Sequence, residues 1–392
     1  MYIDTHCHYD MEHFNEGRLD LLYLLKQEFG IGQMIMPAVL AESNETMRRK
    51  VDFSRYPELL EGTGYTPEQL PKIWYAAGVH PTRIWGKHAA SEAQWEGWIR
   101  KAAQEPDTIA IGEAGLDYHH PMDEDMTERQ HRWFVKQLQI AEEMDLPLIF
   151  HIRMASEDAL RVMERFALRR GGVVHCYCEG WDMAQKFLDR GLMLGIGGAL
   201  TLPKMSELRE AVKKAPLSSL LIETDAPYVN PIWELEALEQ SKAKAMEAAG
   251  NSGDTEAAKA AAATVNPSDT EAAKAAAATV KPSGTEAVKV AAATVKPGDT
   301  EAAKAAAATA AAGGTRAAGA GIAQALTGAP TRHPAEATPA DAEIWRRWNG
   351  INTSRNIPEF VRIIAEMKGI STEKVLAQTN ENAARLFRID VG

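Results

Sequence analysis

Through about residue 225 the chain repeats one pattern: a short run of apolar residues without polar alternation, then a segment with helical spacing. Unalternating runs suit strands buried on both faces, as parallel strands covered by helices are. The pattern predicts eight strands, near Tyr2–Thr5, Gln33–Pro37, Ile73–Val79, Thr108–Gly112, Leu148–His151, Gly172–His175, Leu192–Gly197 and Leu220–Thr224. Among the helices, Thr127–Met144 carries Phe134, Leu138 and Ala141 on one face and stops before Pro147. Ser156–Arg169 carries Ala159, Met163 and Phe166 on one face, with Glu157 and Asp158 near its start, where the helix dipole favours acids. Strands alternating with helices in this number predict an α/β fold, a (β/α)8 TIM-like barrel. An open doubly wound sheet would call for a glycine-rich nucleotide fingerprint, which the sequence lacks.

The pattern breaks after Glu239. Four units of period 15 fill Asn251–Ala310, each with Pro or Gly, then Thr-Glu-Ala and an alanine run, and a Gly/Ala/Pro tract follows to Pro339. Each unit has the composition of two to three helical turns, but helices so short are marginal in water. With almost no large apolar side chains, stacked units would bury little. The expectation is therefore a low-complexity Ala-rich repeat insertion after the eighth strand, disordered or fluctuating. Ordinary sequence returns near Asp341, with helices expected at Pro358–Lys368 and Thr372–Phe387 packing on the barrel. The chain thus divides into a barrel over residues 1–235, the insertion over 241–340 and C-terminal helices over 341–392.

The formal net charge of -11 argues against broad electrostatic binding to a nucleic-acid backbone, while leaving room for a phosphate held locally by metal ions. Three cysteines, Cys7, Cys176 and Cys178, give no disulfide framework and suit a reducing compartment, with Cys176 and Cys178 read as packing residues. Asp4 and His6 interrupt the N-terminal apolar run, so no signal peptide is expected. No apolar stretch reaches the ~20 residues a membrane span needs. A cytoplasmic chain without membrane association or an obligate protein partner is the expectation.

His6 and His8 follow the first strand two apart, so in extended backbone both imidazoles point one way. The third strand leads to His80, the fourth to Glu113, the fifth to His151, the sixth to His175 and the eighth to Asp225. In a barrel these strand ends meet on one face, where active sites sit. Any one of them could be a satisfied core histidine or a helix-capping Asp. Together, His6, His8, His151 and His175 with Glu113 and Asp225 can serve two divalent cations, a shared carboxylate holding the pair roughly 3.5–4 Å apart. Imidazole favours zinc, iron, nickel or manganese over magnesium. Such ions ease deprotonation of water and polarise a phosphoryl or carbonyl group, and a neighbouring carboxylate accepts the proton. Cys7 alternates to the opposite face, and no Gly-x-Ser-x-Gly elbow competes.

The ordered motifs DTHCHYD, AAGVHP, IGEAGLDY, ERQHRWFVKQ, LIFHIR, VVHCY, IETDAPY, RNIP and TNENAARLF resemble the TatD family of metal-dependent hydrolases and deoxyribonucleases, over roughly Met1–Pro231 and Arg355–Phe387. The resemblance implies one metal held by His6, His8, Glu113 and Asp225 and another by Glu113, His151 and His175. It implies Asp225 as the residue that orients or deprotonates water, with Glu113 shared between the metals. It places His80 and Arg153 where a substrate phosphate would be contacted. Glu223, two residues before Asp225, should share its face. The run His175-Cys176-Tyr177-Cys178-Glu179-Gly180 departs from the family pattern, and Glu179 near the mouth would disfavour an anionic substrate. The expected function is metal-dependent phosphodiester hydrolysis on DNA, including attack from a 3′ end. The rival readings are an amidohydrolase-like esterase, amidase or lactonase, and a non-enzymatic scaffold acting through the repeats.

Overall fold

The computed structural model describes residues 1–85, 91–119, 121–236, 347–348 and 350–391. The repeat tract expected to be disordered, 241–340, lies outside the described residues.

The eight strands form one all-parallel sheet in sequence order: β1 Tyr2–Asp4, β2 Ile31–Pro37, β3 Lys72–Ala77, β4 Thr108–Asp117, β5 Leu148–Arg153, β6 Gly172–Val174, β7 Met193–Ile196 and β8 Leu220–Ile222. The ends of this sheet meet. Thr5 N donates to Ile222 O at 3.1 Å, Asp225 N to His6 O at 2.8 Å and His8 N to Ala226 O at 2.7 Å, closing the barrel. Every residue of β2 and β4 is buried, as their unalternating apolar character requires.

Around the barrel run α1 Arg18–Phe29, α2 Ser43–Val51, α3 Glu92–Ala102, α4 Glu124–Met144, α5 Ser156–Met163, α6 Trp181–Asp189, α7 Ser206–Lys214, α8 Ile357–Lys368 and α9 Thr372–Phe387. Local chemistry sets their ends. The Asp123 carboxylate caps α4 by accepting Met126 N at 2.8 Å. Pro358 opens α8, and Gly369 at φ 64° ends it. α5 is shorter than the apolar stripe predicts, because the chain turns after Met163 and Leu168 takes a positive φ of 46°. No helix among the described residues is long and apolar enough to cross a membrane.

The C-terminal helix seals one end of the barrel. Ala383, Leu386 and Phe387 of α9 and Ile389 pack in one cluster with Ile3, Ile35, Ala76, Ile109, Ile149, Val173, Met193 and Leu221, drawn from every strand. Asn382 fixes the helix there, donating to Leu217 O and Leu220 O at the amino end of β8. Each large apolar side chain so buried contributes about 1.5–3 kcal/mol. With the amino ends of the strands covered, the opposite end is left for chemistry.

One strand differs from expectation in a way that matters for the site. β4 runs on to Asp117, so Glu113 lies within the strand and not at its end. The pairing of β4 with β5 shifts register between Ile111 and Ala114. A Cβ on Gly115 would stand 1.9 Å from His151 O, and its φ of +157° is one that side-chain-bearing residues rarely adopt. Glycine there lets the two strands stay in contact past the irregularity.

Candidate metal centre

The carboxylate of Glu113 is the meeting point of two clusters. Its Oε1 lies 3.7 Å from His6 Nε2 and 3.5 Å from His8 Nε2. Asp225 Oδ1 completes this side, 3.5 Å from His6 Nε2 and 3.3 Å from His8 Nε2. On the other side, Glu113 Oε2 lies 3.1 Å from His175 Nε2, 3.4 Å from His151 Nδ1 and 3.7 Å from His80 Nε2. Glu113, His6 and His8 are almost wholly buried. The structure thus brings together all six residues that the strand ends suggested as ligands, together with His80.

These separations suit a cation. Ligand atoms ~2.1 Å from a tetrahedral metal stand about 3.4 Å from one another. The His6–His8–Glu113–Asp225 contacts span 3.2 to 3.7 Å. His6 Nε2 and His8 Nε2 face each other at 3.2 Å, and their Nδ1 atoms are buried without a hydrogen-bond partner among the described residues. His6, His8 and Glu113 form one group of buried ligand atoms close enough to share an ion, and His6, His175 and Asp225 form another, and such buried charge needs a positive partner.

The ionisation states agree. Burial raises the Glu113 carboxyl, but His6, His80 and His175 outweigh it and hold it well below the usual carboxylate range. Asp225 is lowered in the same way, against burial, by His8, His6 and His175. Burial pushes His6 down to about 4. For His8 and His151 the surrounding carboxylates overcome burial and raise both to about 9. At both positions the surrounding negative charge favours a cation.

Hydrogen bonds fix which ring nitrogen of two histidines is free. His151 Nε2 donates to Asp117 Oδ2 at 3.0 Å, because a carboxylate only accepts. His151 Nδ1 is therefore the nitrogen left to face Glu113 and, at 2.9 Å, His175 Nε2. A carboxylate behind a histidine in this way fixes its tautomer and raises its basicity toward a metal. His80 has the opposite arrangement. Its Nδ1 accepts the backbone N–H of Thr82 at 3.1 Å, and burial pushes the ring down to about 3. The neutral ring then carries its proton on Nε2, which faces His151 Nδ1 at 3.0 Å, and His80 groups with Glu113 and His151 as a third set of residues able to hold an ion.

Arg153 ends β5 half-buried, and its side chain has no ion pair among the described residues. Glu179, expected to repel anions at the mouth, accepts a hydrogen bond from the Ser156 hydroxyl at the start of α5. Cys7 is buried with its Sγ directed to Ile35 O, away from the site. Glu223 is buried beside His175 and accepts the Cys176 N–H. A Cβ on Gly195 would stand 2.1 Å from Glu223 Oε2, so glycine makes the room this carboxyl occupies.

Asp117 was not singled out in the sequence, although it lies four residues after Glu113 in one strand and so on the same face. Asp4 was passed over too. It is fully buried, and its Oδ1 accepts the backbone N–H groups of His6 at 3.2 Å and Thr224 at 3.0 Å.

Comparison with known proteins places the chain among relatives. The family model for TatD related DNases matches residues 3–292. The metal-dependent hydrolase YjjV of Escherichia coli K12 is 35% identical over 228 residues, covering 58% of this chain and 79% of YjjV. The 3′-5′ ssDNA/RNA exonuclease TatD of Escherichia fergusonii is 39% identical over 163 residues, covering 41% of this chain and 60% of that protein. The crystal structure of E. coli YjjV superposes with a TM-score of 0.58 at 20% identity, covering 99% of this chain and 98% of that one. A TatD family hydrolase from Entamoeba histolytica superposes with a TM-score of 0.59 at 16% identity, covering 98% and 97%. The two structural likenesses establish the shared barrel.

Proposed function

This chain belongs to the TatD-related DNase family of metal-dependent hydrolases, and we propose that it hydrolyses phosphodiester bonds of DNA, working inward from a 3′ end. The observation that carries the reading is the carboxylate of Glu113 shared between two histidine clusters. The exonuclease named among the relatives supports the choice of bond.

In this reading His6, His8, Glu113 and Asp225 hold one divalent cation, and Glu113, His151 and His175 hold a second. Bound there, the cations supply the charge that polarises a phosphodiester and eases deprotonation of water. The chain's own groups do the rest. Asp225 orients the attacking water and accepts its proton. Asp117 keeps the His151 Nδ1 lone pair directed inward. The His80 Nε2–H and the Arg153 guanidinium are donors for phosphate oxygens, the latter in the planar geometry that suits them.

The test is a single-stranded oligodeoxynucleotide with its 3′ end either free or blocked, run beside a panel of small esters, amides and lactones with each divalent metal. Stepwise release of mononucleotides from the free 3′ end alone is the expected result. Turnover of a carboxylic substrate with the oligonucleotide left intact would overturn the choice of bond.

We also propose that residues 241–340 are dispensable for the chemistry, the barrel and the C-terminal helices forming one catalytic unit. The flanking segments are joined directly. Asn230 Nδ2 donates to Gly350 O at 3.0 Å, Trp233 Nε1 to Asn356 Oδ1 at 3.0 Å, and Arg355 pairs with Glu234 at 2.6 Å. Loop-closure entropy grows only logarithmically with length, so the barrel tolerates a long excursion between them. A chain with this tract replaced by a short Gly/Ser loop should keep its metal content and turnover. Lost turnover with fold and metal intact would make the tract part of the active site.

A further inference from the structure

Residues 350–356, which return to the barrel after the excursion, contact the loops that carry the site. Asn352 is wholly buried. Its Nδ2 donates to Thr224 O and Tyr228 O at 2.6 Å each and stands 3.3 Å from Val229 O. Those carbonyls bracket Asp225 on both sides. Asn352 Oδ1 accepts from Asn356 Nδ2 at 2.9 Å, so the side chain is held at both ends. Two residues on, Ser354 Oγ donates to Asp4 Oδ2 at 2.6 Å, and Asp4 in turn holds the backbone N–H of His6.

The bracketed loop needs such support. Asp225 has φ 57° and Val229 φ 52°. Both lie in the left-handed region, which is uncommon for Asp and a genuine outlier for a β-branched residue. Backbone in such states persists only where the surroundings over-determine it. The Asn352 amide, tied to carbonyls before and after Asp225, is positioned to do this.

We propose that Asn352 is the positioning residue for Asp225: it holds that carboxylate against His6 and His8, so the C-terminal segment completes the metal centre as well as covering the barrel. The inference rests on His6, His8, Glu113 and Asp225 being metal ligands. Asn382 provides an internal comparison. It too is wholly buried and donates to two carbonyls, Leu217 O and Leu220 O at 2.8 Å each, but at the opposite end of the same strand.

The experiment compares Asn352→Ala and Asn382→Ala in the full chain by thermal unfolding, Co2+ affinity in chelator competition, and the visible absorption of bound Co2+, which reports coordination geometry. Both variants are expected to unfold at lower temperature. Asn352→Ala alone should weaken Co2+ binding by about 10–100-fold, the usual cost of losing a group that orients a ligand, and shift the visible band. A wild-type Co2+ spectrum and affinity in Asn352→Ala would overturn the proposal. So would an equal change in both variants, which would mark Asn352 as merely structural. Should Asn352→Ala fail to fold, Asn352→Ser, which keeps one donor, gives the same comparison. Wild-type protein that takes up no Co2+ would overturn the ligand assignment itself and this inference with it, an outcome distinct from an altered spectrum in one variant.

Discussion

Replacing Glu113 with Gln is expected to lower turnover by about 10³-fold while the barrel still folds. The magnitude follows from what is removed. Metal ions at a phosphoryl centre stabilise developing charge by several kcal/mol, and each 1.36 kcal/mol is tenfold in rate. Glu113 is the only side chain among the described residues whose two oxygens face two different histidine groups, His6 and His8 on one side and His80, His151 and His175 on the other. An amide of the same shape keeps one acceptor oxygen and puts an NH2 toward the other group, so one cluster loses its anionic ligand. The side chain is buried and ionised in the wild-type protein, and the neutral amide therefore removes negative charge without adding volume. Metal analysis with steady-state kinetics checks the result, which should show metal content falling together with kcat. Near-normal turnover with unchanged metal content would refute the shared role.

The barrel was legible because its signal is coarse. Parallel strands covered on both faces need apolar residues at every position, so their runs show without an alternating pattern, and all eight lie where those runs predict. The clustering of the candidate residues was legible because a barrel gathers the residues that follow its strands. His6, His151, His175 and Asp225 could be placed from strand order alone.

What escaped depends on single atoms. The extension of β4 through Glu113 to Asp117 turns on a register shift eased by Gly115, and neither has a periodic signature. The orientations of two histidine rings differ by one hydrogen bond each. Asp117 frees Nδ1 of His151, whereas Thr82 N occupies Nδ1 of His80. Spacing along the chain cannot distinguish these cases. Asn352 gave no signal because its partners, Thr224 and Tyr228, lie 128 and 124 residues away. The insertion between them hid the fact that the segment after it supports the loop before it.

Asp225→Asn is the second large effect, and its design separates base from ligand. Two carboxylates face His6 and His8, but they are not equally reachable. The Asp225 side chain is 13% exposed and that of Glu113 is 3%. Only the first has an accessible face, which is the reason Asp225 is proposed as the base. Burial alone would raise its carboxyl, but His8, His6 and His175 hold it below the ordinary range, so it is ionised near neutrality. Asn is also the substitution this backbone tolerates best. At φ 57° most side chains would be strained, but Asn populates the left-handed region readily. The variant should therefore fold, keep Oδ1 in place as a weaker ligand, and lose the base. Removing a positioned general base costs about 10²–10⁴-fold. The fall should be in kcat, with KM little changed, because proton acceptance is needed in the transition state and not for binding. A raised KM with kcat intact would make Asp225 a substrate-binding residue and move the proton acceptor elsewhere in the site.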